Sequence, residues 1–459
     1  MPPLQPQQRV IIVGGGPSGA LLALYLAQRG GFKVDLFEAL HESRISGPTA
    51  RSWNVVVSPR GSCALKAGGV DLHEEASEPV ITLVGNMNHH TGKKAPSHVT
   101  GSDSICRGQL AWVLLRKASK MPNVTIHFEC TFTKMDMERR VATFERGDGE
   151  VVEREYDMLV GADGVHSRVR NALKENVPDF TVEQRQDHMA FKTFVLPVME
   201  MEGADESWKE VLHISNSKVG CLIAPPRSDG MLTVVIILPS KGDTSFGALM
   251  KNTEDVQAFF ARHYPCTYGP DGPSERFAKE FLERRPQQQW STYCSRLAHG
   301  RIVLIGDAGH SMWASLGQGL NAALEDCRVF AEVLDAEREG EEKAQAIDVP
   351  KLLEAYNERR FEDVLAACEL SEEALGGSRT IRPAFAAQLF LMVILNKTLG
   401  LVAPKIFTPP SLMDINAAER SYGDIMRGVK REAVATKGLL IVTATLAVVG
   451  VARKFFVKR

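Results

Sequence analysis

The chain has 459 residues, 44% of them apolar and 24% charged, which is enough to bury the cores of roughly two domains. Its 54 Lys and Arg nearly balance 56 Asp and Glu, for a formal net charge of −2, so no basic field is available to hold a nucleic-acid backbone and no nucleic-acid partner is expected. The eight cysteines form no CxxC pair, which argues against a zinc site and a disulfide-stapled secreted fold and for reduced thiols.

At the N-terminus, MPPLQPQQRV lacks the charged and apolar regions of a signal peptide, so the chain is expected to start on the cytosolic side. Residues 9–13 (RVIIV) read as a strand that ends at Gly14-x-Gly16-x-x-Gly19, with Pro17 and Ser18 inside the turn. Residues 20–29 have helical composition, and Gly30–Gly31 stop them. In such a strand, turn and helix, Gly14 allows the tight turn, Gly16 lets backbone approach a pyrophosphate, and Gly19 lets the helix pack on the strand. The helix N-terminal amides then face phosphate. The next strand, 33–37, ends in Glu38, placed to take the ribose hydroxyls of an adenosine half, which disfavours NADP at this site.

One glycine turn does not separate FAD from NAD; FAD needs further segments to wrap the flavin. The first candidate is 156–168 (YDMLVGADGVHSR), an apolar strand running into Gly161-Ala162-Asp163-Gly164. Between 181 and 292, strand-like runs (MAFKTFVLPV, KVGCLIAPP, MLTVVIILP) alternate with polar turns and suit a mixed sheet over an active site. The second candidate is 301–326 (RIVLIGDAGHSMWASLGQGLNAALED), a buried strand meeting Gly306-Asp307 and then Gly317-Gln318-Gly319, which opens a helix. Asp307 at a strand end can accept from a ribityl hydroxyl, and amides after Gly317 point at the electron-rich edge of an isoalloxazine ring. Each turn alone is also an ordinary strand-to-helix connection; the three in this order point to FAD. His310 reads as a structural residue after the Gly-Asp pair.

From 350 onward the pattern is helical, with Leu352, Leu353 and Tyr356 at helical spacing and a strongly apolar stretch over 385–395. Residues 438–452 (GLLIVTATLAVVGVA) carry no charge and lie between basic flanks. At about 1.5 Å per residue that run reaches roughly 22 Å against a hydrocarbon core of roughly 30 Å, unless Arg453 and Lys454 snorkel and 455–457 extend it. A buried core helix is the alternative; the position at the end of the chain favours a short membrane anchor. Such tails resemble those of mitochondrial outer-membrane proteins, with the catalytic body facing the cytosol.

Taken together, the three turns resemble the aromatic-hydroxylase class of FAD monooxygenases, the para-hydroxybenzoate hydroxylase fold, over roughly 9–363. Within that class the segments 51–70 (RSWNVVVSPRGSCALKAGGV), 104–110 (SICRGQL), 211–215 (VLHIS), 317–330 (GQGLNAALEDCRVF) and the basic-flanked tail are similar to the kynurenine 3-monooxygenases. The resemblance implies an α/β fold. A Rossmann-like FAD-binding domain is split into 1–180 and 293–345, a mixed β-sheet substrate domain is inserted at 181–292, helices follow over 346–436, and an anchor closes the chain at 437–459. It also implies that Arg51 lies near the flavin and that Arg107 contacts the FAD ribityl or phosphate region. Gly306 and Asp307 take the Gly-Asp motif, while Gly317, Gly319, Leu320 and Asn321 match the loop under the flavin. NADPH or NADH and O2 are the implied co-substrates. No second glycine fingerprint is present, as in a class that lacks a separate NADPH domain. The cofactor carries the chemistry, so no catalytic triad and no metal are expected.

Substrate contacts depart from the family pattern. The resemblance implies an Arg before and a Tyr after Gly92-Lys93-Lys94, a clamp for the substrate carboxylate, yet this chain has LVGNMNHHT before and APSHVTGSDS after. A helical segment that carries a Tyr-Asn-Tyr run in the family is here Ser371-Glu372-Glu373-Ala374-Leu375, a later family Tyr is replaced around 409–411, and a Pro of the flavin loop is Ala314. The expected substrate is therefore a less acidic aromatic or lipophilic small molecule, with His89 and His90 in solvent or against it. A membrane-tethered FAD-binding redox or binding protein without hydroxylase turnover is the alternative.

Overall fold

A computed structural model of the chain describes residues 7–46, 53–89, 97–98, 101–339, 346–375, 383–399, 401, 410–435, 438 and 445. The strand Gln8–Val13 is continuously apolar and buried from Val10 to Val13 because it runs through the middle of a parallel sheet, where both faces are covered. Phe32–Phe37 and Met158–Gly161 flank it in parallel, Val124–His127 lies outside the first of these, and Ile302–Leu304 outside the second. The short antiparallel strand Ala298–His299 closes that edge. Helix Pro17–Arg29 buries Leu21, Leu22, Leu24, Tyr25 and Leu26 between this sheet and helices Arg107–Ser119 and Gly319–Glu337. The three segments that carry the glycine turns thus feed one sheet, and their strands run the same way.

The second large sheet has seven strands: Gln287–Cys294, Val182–Pro197, Met231–Pro239, Cys221–Ala224, Val211–Asn216, Gly85–Asn88 and Ser97–His98. All its pairings are antiparallel except Val211–Asn216 with Gly85–Asn88. The sheet expected within 181–292 therefore also recruits two strands from upstream and continues to Cys294. Helices Thr253–His263 and Glu275–Glu283 cover one face, where Phe194, Phe260, Phe277 and Phe281 pack edge to face.

The chain divides into two compact units, 1–380 and 381–459. Helix Val349–Leu375 belongs to the first, where Leu352, Leu353 and Tyr356 are buried in the core of the parallel sheet as their spacing predicts. The second contains helix Pro383–Leu399, which exposes Phe390, and a loop-helix segment in which the Ser411 amide donates to Glu432 at 2.8 Å. Apart from Gly438 and Thr445, the uncharged run 438–452 lies outside the described residues; among the described residues no helix is long and apolar enough to cross a membrane.

Candidate functional site

At the first turn two glycines serve chain-to-chain contact. Gly14 has φ +106°, its amide donates to the Phe37 carbonyl at 2.8 Å, and a Cβ there would lie 2.4 Å from the Ala162 carbonyl oxygen. A Cβ on Gly19 would lie 2.0 Å from the Gly14 carbonyl oxygen, so helix Pro17–Arg29 sits directly on the turn. Gly16 differs: it is the helix N-cap, and a Cβ there would meet nothing within 4 Å. Pro17 fills the first helical position, where its missing N–H costs nothing. Behind the turn, Glu38 accepts from the Gly15 amide at 2.6 Å through one carboxylate oxygen and from the Leu40 amide at 2.8 Å through the other.

Ser167 caps the helix Arg168–Asn176, and Asp163 supports that end by accepting from the amides of Arg168 (2.7 Å) and Val169 (3.3 Å) through Oδ2. The Oδ1 of Asp163 is buried with no hydrogen-bond partner among the described residues, and burial holds the carboxyl above its usual range. The buried Arg170 donates to the carbonyls of Val165 (2.8 Å) and Ala308 (2.9 Å), which ties this turn to the Gly306–Asp307 turn.

Gly306 has φ +62°, and a Cβ on it would stand 3.1 Å from Ser18 Oγ, so the third motif abuts the first. Asp307 heads the short helix Asp307–His310, with Oδ1 4.0 Å from where a Cβ on Gly319 would be. Gly317 turns the chain in the left-handed region at φ +64°, and Gly319 starts helix Gly319–Glu337. Leu320 packs half-buried on the core, whereas Asn321 is 1% exposed and already committed to protein. Its amide nitrogen donates to the carbonyls of Val56 (3.2 Å) and Gly317 (3.1 Å), and its oxygen accepts from the Ser58 amide at 2.9 Å.

Four separated stretches, 14–19, 163, 306–307 and 317–321, therefore meet. Asn54–Val57, the strand that Asn321 grips, pairs antiparallel with Asp103–Cys106, next to Arg107. Arg107 is exposed at the start of helix Arg107–Ser119, its guanidinium 5.6 Å from the centre of the Trp53 ring. Arg51 lies outside the described residues.

Beneath these turns lies a charged network that the sequence reading missed. Asp326, fully buried, accepts from the Gly306 amide (2.8 Å), Arg360 Nε (2.8 Å) and His310 Nε2 (2.6 Å). Arg360 also reaches Glu325 at 2.9 Å and Asp363 at 2.6 Å, and Glu325 takes Arg60 at 2.7 Å. His310 is thus structural, as read, and holds the carboxylate that fixes Gly306. The available signal was the pair Glu325-Asp326 on an otherwise apolar helix face.

The second sheet contains a neutral counterpart. His213 Nε2 donates to the Trp208 carbonyl (2.9 Å), so Nδ1 is the acceptor and accepts a hydrogen bond from His89 Nε2 at 3.1 Å. His89 is 5% exposed, contrary to the expectation of solvent or substrate contact, because Gly85–Asn88 joins the sheet beside Val211–Asn216. His90 and the segment 91–96 lie outside the described residues.

Residues 7–369 match the family described as FAD binding domain. The chain is 30% identical over 374 residues to kynurenine 3-monooxygenase of Drosophila willistoni, covering 80% of this chain and 78% of that one. It is 28% identical to violacein synthase of Chromobacterium violaceum, over 73% of this chain and 80% of the other. The fold is similar to Klebsiella pneumoniae HpxO complexed with FAD and uric acid, with a TM-score of 0.61 at 19% identity, covering 93% of this chain and 99% of that chain.

Proposed function

The chain belongs to the FAD-dependent monooxygenases of the kynurenine 3-monooxygenase family, and from that premise we propose that it uses NADPH or NADH and O2 to hydroxylate an aromatic or lipophilic small molecule other than kynurenine. The convergence of the three turns carries the reading, since the residues present fit an extended flavin nucleotide. Gly16 leaves the first helical amides uncovered by side chains, and Pro17, Ser18 and Gly19 hold that helix end for a pyrophosphate. Glu38 would take the adenosine ribose through the second lone pair of each oxygen, keeping its two amide bonds. Asp163, with one carboxylate oxygen unsatisfied, and Gly306 and Asp307 would take the polar chain between phosphate and ring. Gly317, Gly319 and Leu320 would pass under the ring, with Asn321 locking their loop and Arg51 and Arg107 closing the near side.

When bound, FAD supplies the hydride-accepting and oxygen-activating chemistry. The protein binds it, orients the substrate ring and excludes water. Relatives at similar identity include enzymes named for different products, which supports a substrate that has diverged while the flavin frame stayed. The test is to purify the protein and screen aromatic compounds for stimulated NADPH and NADH oxidation with stoichiometric hydroxylated product. A colourless protein that takes up no FAD overturns the reading, and so does tight kynurenine binding coupled to 3-hydroxykynurenine formation. FAD uptake with no stimulated turnover would instead favour a binding or redox role.

We also propose that 437–459 anchors the chain in a membrane, the mitochondrial outer membrane being the expected one, with the body in the cytosol. Its support is the uncharged run between basic flanks. Removal of 437–459 should release the protein into the soluble fraction; full-length protein that is already soluble would sink this part.

A further inference from the structure

A polar cluster joins the second sheet to the turn that precedes Gly317. Arg185, on strand Val182–Pro197, lies 4.2 Å from the ring centre of Tyr293 on strand Gln287–Cys294, and 3.3 Å from Glu372 near the end of helix Val349–Leu375. That helix end is fixed to the turn, because Ser315 Oγ donates to the Ser371 carbonyl. The sheet is fixed to the same turn by Gln289, whose Oε1 accepts from the Ala314 amide at 2.7 Å. Asp187 completes the cluster: it is 5% exposed, Oδ1 accepts from the Met189 amide at 3.0 Å, and Oδ2 lies 3.5 Å from Gln289 Nε2.

Charge decides what this cluster can recognise. Among the described residues its one guanidinium is already taken, since Arg185 meets both oxygens of Glu183 at 2.8 and 3.2 Å besides Glu372, and the exposed His188 stands with Nδ1 3.6 Å from Asp187 Oδ1. Among the described residues Glu183, Glu372 and Asp187 then stand against one guanidinium and one imidazole. Burial pushes the Asp187 carboxyl up, against the Met189 amide and the neighbouring His188, with the Glu372 charge adding a smaller push in the same direction. Among the described residues of the cluster an incoming carboxylate would face repulsion and find no guanidinium or ammonium free of a carboxylate partner. An ammonium would find Glu372 with only one partial cationic partner.

We propose that Glu372, assisted by Asp187, is a specificity-determining residue that selects an aromatic substrate bearing an amine and rejects its carboxylate-bearing counterpart. This rests on the flavin placement proposed above, which puts the 314–316 turn beside the ring.

The test uses the FAD-loaded full chain in detergent and three probes: kynuramine (an amine with no carboxylate), L-kynurenine (both groups) and 2-aminobenzoylacetate (a carboxylate with no aliphatic amine). Binding is read by flavin absorbance titration, and turnover by NADPH oxidation. Kynuramine should bind at least about tenfold tighter than L-kynurenine, with 2-aminobenzoylacetate weakest. Glu372→Gln should weaken kynuramine about tenfold while FAD occupancy and melting temperature stay put, and Glu372→Asp should retain most of the preference. If Glu372→Gln fails to hold FAD, Asp187→Asn serves as the second variant and should narrow the amine-to-acid preference. Equal or tighter binding of L-kynurenine, or amine affinity indifferent to these substitutions, overturns the proposal. FAD uptake with none of the probes bound overturns it while leaving the flavoprotein reading standing; failure to take up FAD overturns both.

Discussion

The parallel-sheet half and the seven-stranded half bury polar groups by opposite strategies. Under the glycine turns, Asp326, Glu325, Arg360 and Arg60 are all charged and all buried, and each carboxylate meets at least one cation. Burial by itself would raise both acids, but His310 and Arg360 outweigh it at Asp326, and Arg360, Arg60 and Arg328 at Glu325, which holds both below the ordinary carboxylate range. In the second sheet burial, with His89 adding to it, pushes His213 down to about 4. The network under the turns tolerates charge because it is paired; the histidine pair of the second sheet is buried as neutral rings. That contrast assigns each half its own response to mutation and to acid.

Breaking the charged half should have the largest effect. Arg360→Met leaves Glu325, Asp326 and Asp363 without their shared cation and should cost about 3–5 kcal/mol in denaturant unfolding. Loss under about 1 kcal/mol would mean that the network is not what holds Gly306. The neutral half should set the pH response next. The folded pKa of His213 is below its unfolded value, so the unfolded chain binds the extra proton between about pH 6.5 and about 4. Stability contributed by the neutral ring is complete above about 6.5 and is lost as pH falls through about 4, on the order of 3 kcal/mol in all. Asp326 and Glu325, with depressed pKa values, keep their full contribution above the ordinary carboxylate range and begin to lose it only as pH falls into that range, below the onset for His213. Unfolding measured at a series of pH values should therefore show an earlier acid-sensitive step that His213→Gln flattens and Arg360→Met does not.

How far the sequence could be read follows the same division. Gly14, Gly19, Gly306 and Gly317 are legible because a backbone contact or a positive φ demands a residue without Cβ, and that demand is local. The buried stripe of Leu352, Leu353 and Tyr356 is legible because helical period is local too. The ion network is not, since Arg60 and Glu325 are 265 residues apart and only the finished sheet brings them together. His89 misleads for a related reason: NMNHHT looks like a polar loop, and nothing nearby announces that Gly85–Asn88 pairs with Val211–Asn216. Asn321 falls between these cases, placed correctly beside the Gly317 turn but spending its side chain on Val56, Gly317 and Ser58.

Two smaller substitutions sharpen the contrast inside the nucleotide half, separating glycines that pack protein on protein from those that leave room. Gly19→Ala forces a Cβ to within 2.0 Å of the Gly14 carbonyl and should cost about 1–3 kcal/mol along with FAD retention. Gly16→Ala meets nothing within 4 Å, so thermal unfolding of the FAD-free protein should be unchanged to within about 1 kcal/mol while FAD binds more weakly. Equal destabilisation by both would remove the distinction.

Glu38→Gln should have the smallest effect. The carboxylate satisfies two amides, Gly15 at 2.6 Å and Leu40 at 2.8 Å, one through each oxygen. Glutamine keeps one acceptor oxygen and presents an NH2 to the other amide, so one of the two bonds must be given up at about 1 kcal/mol. If Glu38 serves only the turn, melting temperature should drop slightly and FAD affinity should follow it in proportion. If it also takes the ribose, as proposed, affinity measured by flavin fluorescence titration should fall about tenfold, more than the stability loss accounts for, and AMP should compete less well for the site. The ratio of the two losses thus tests the role of Glu38 without any substrate.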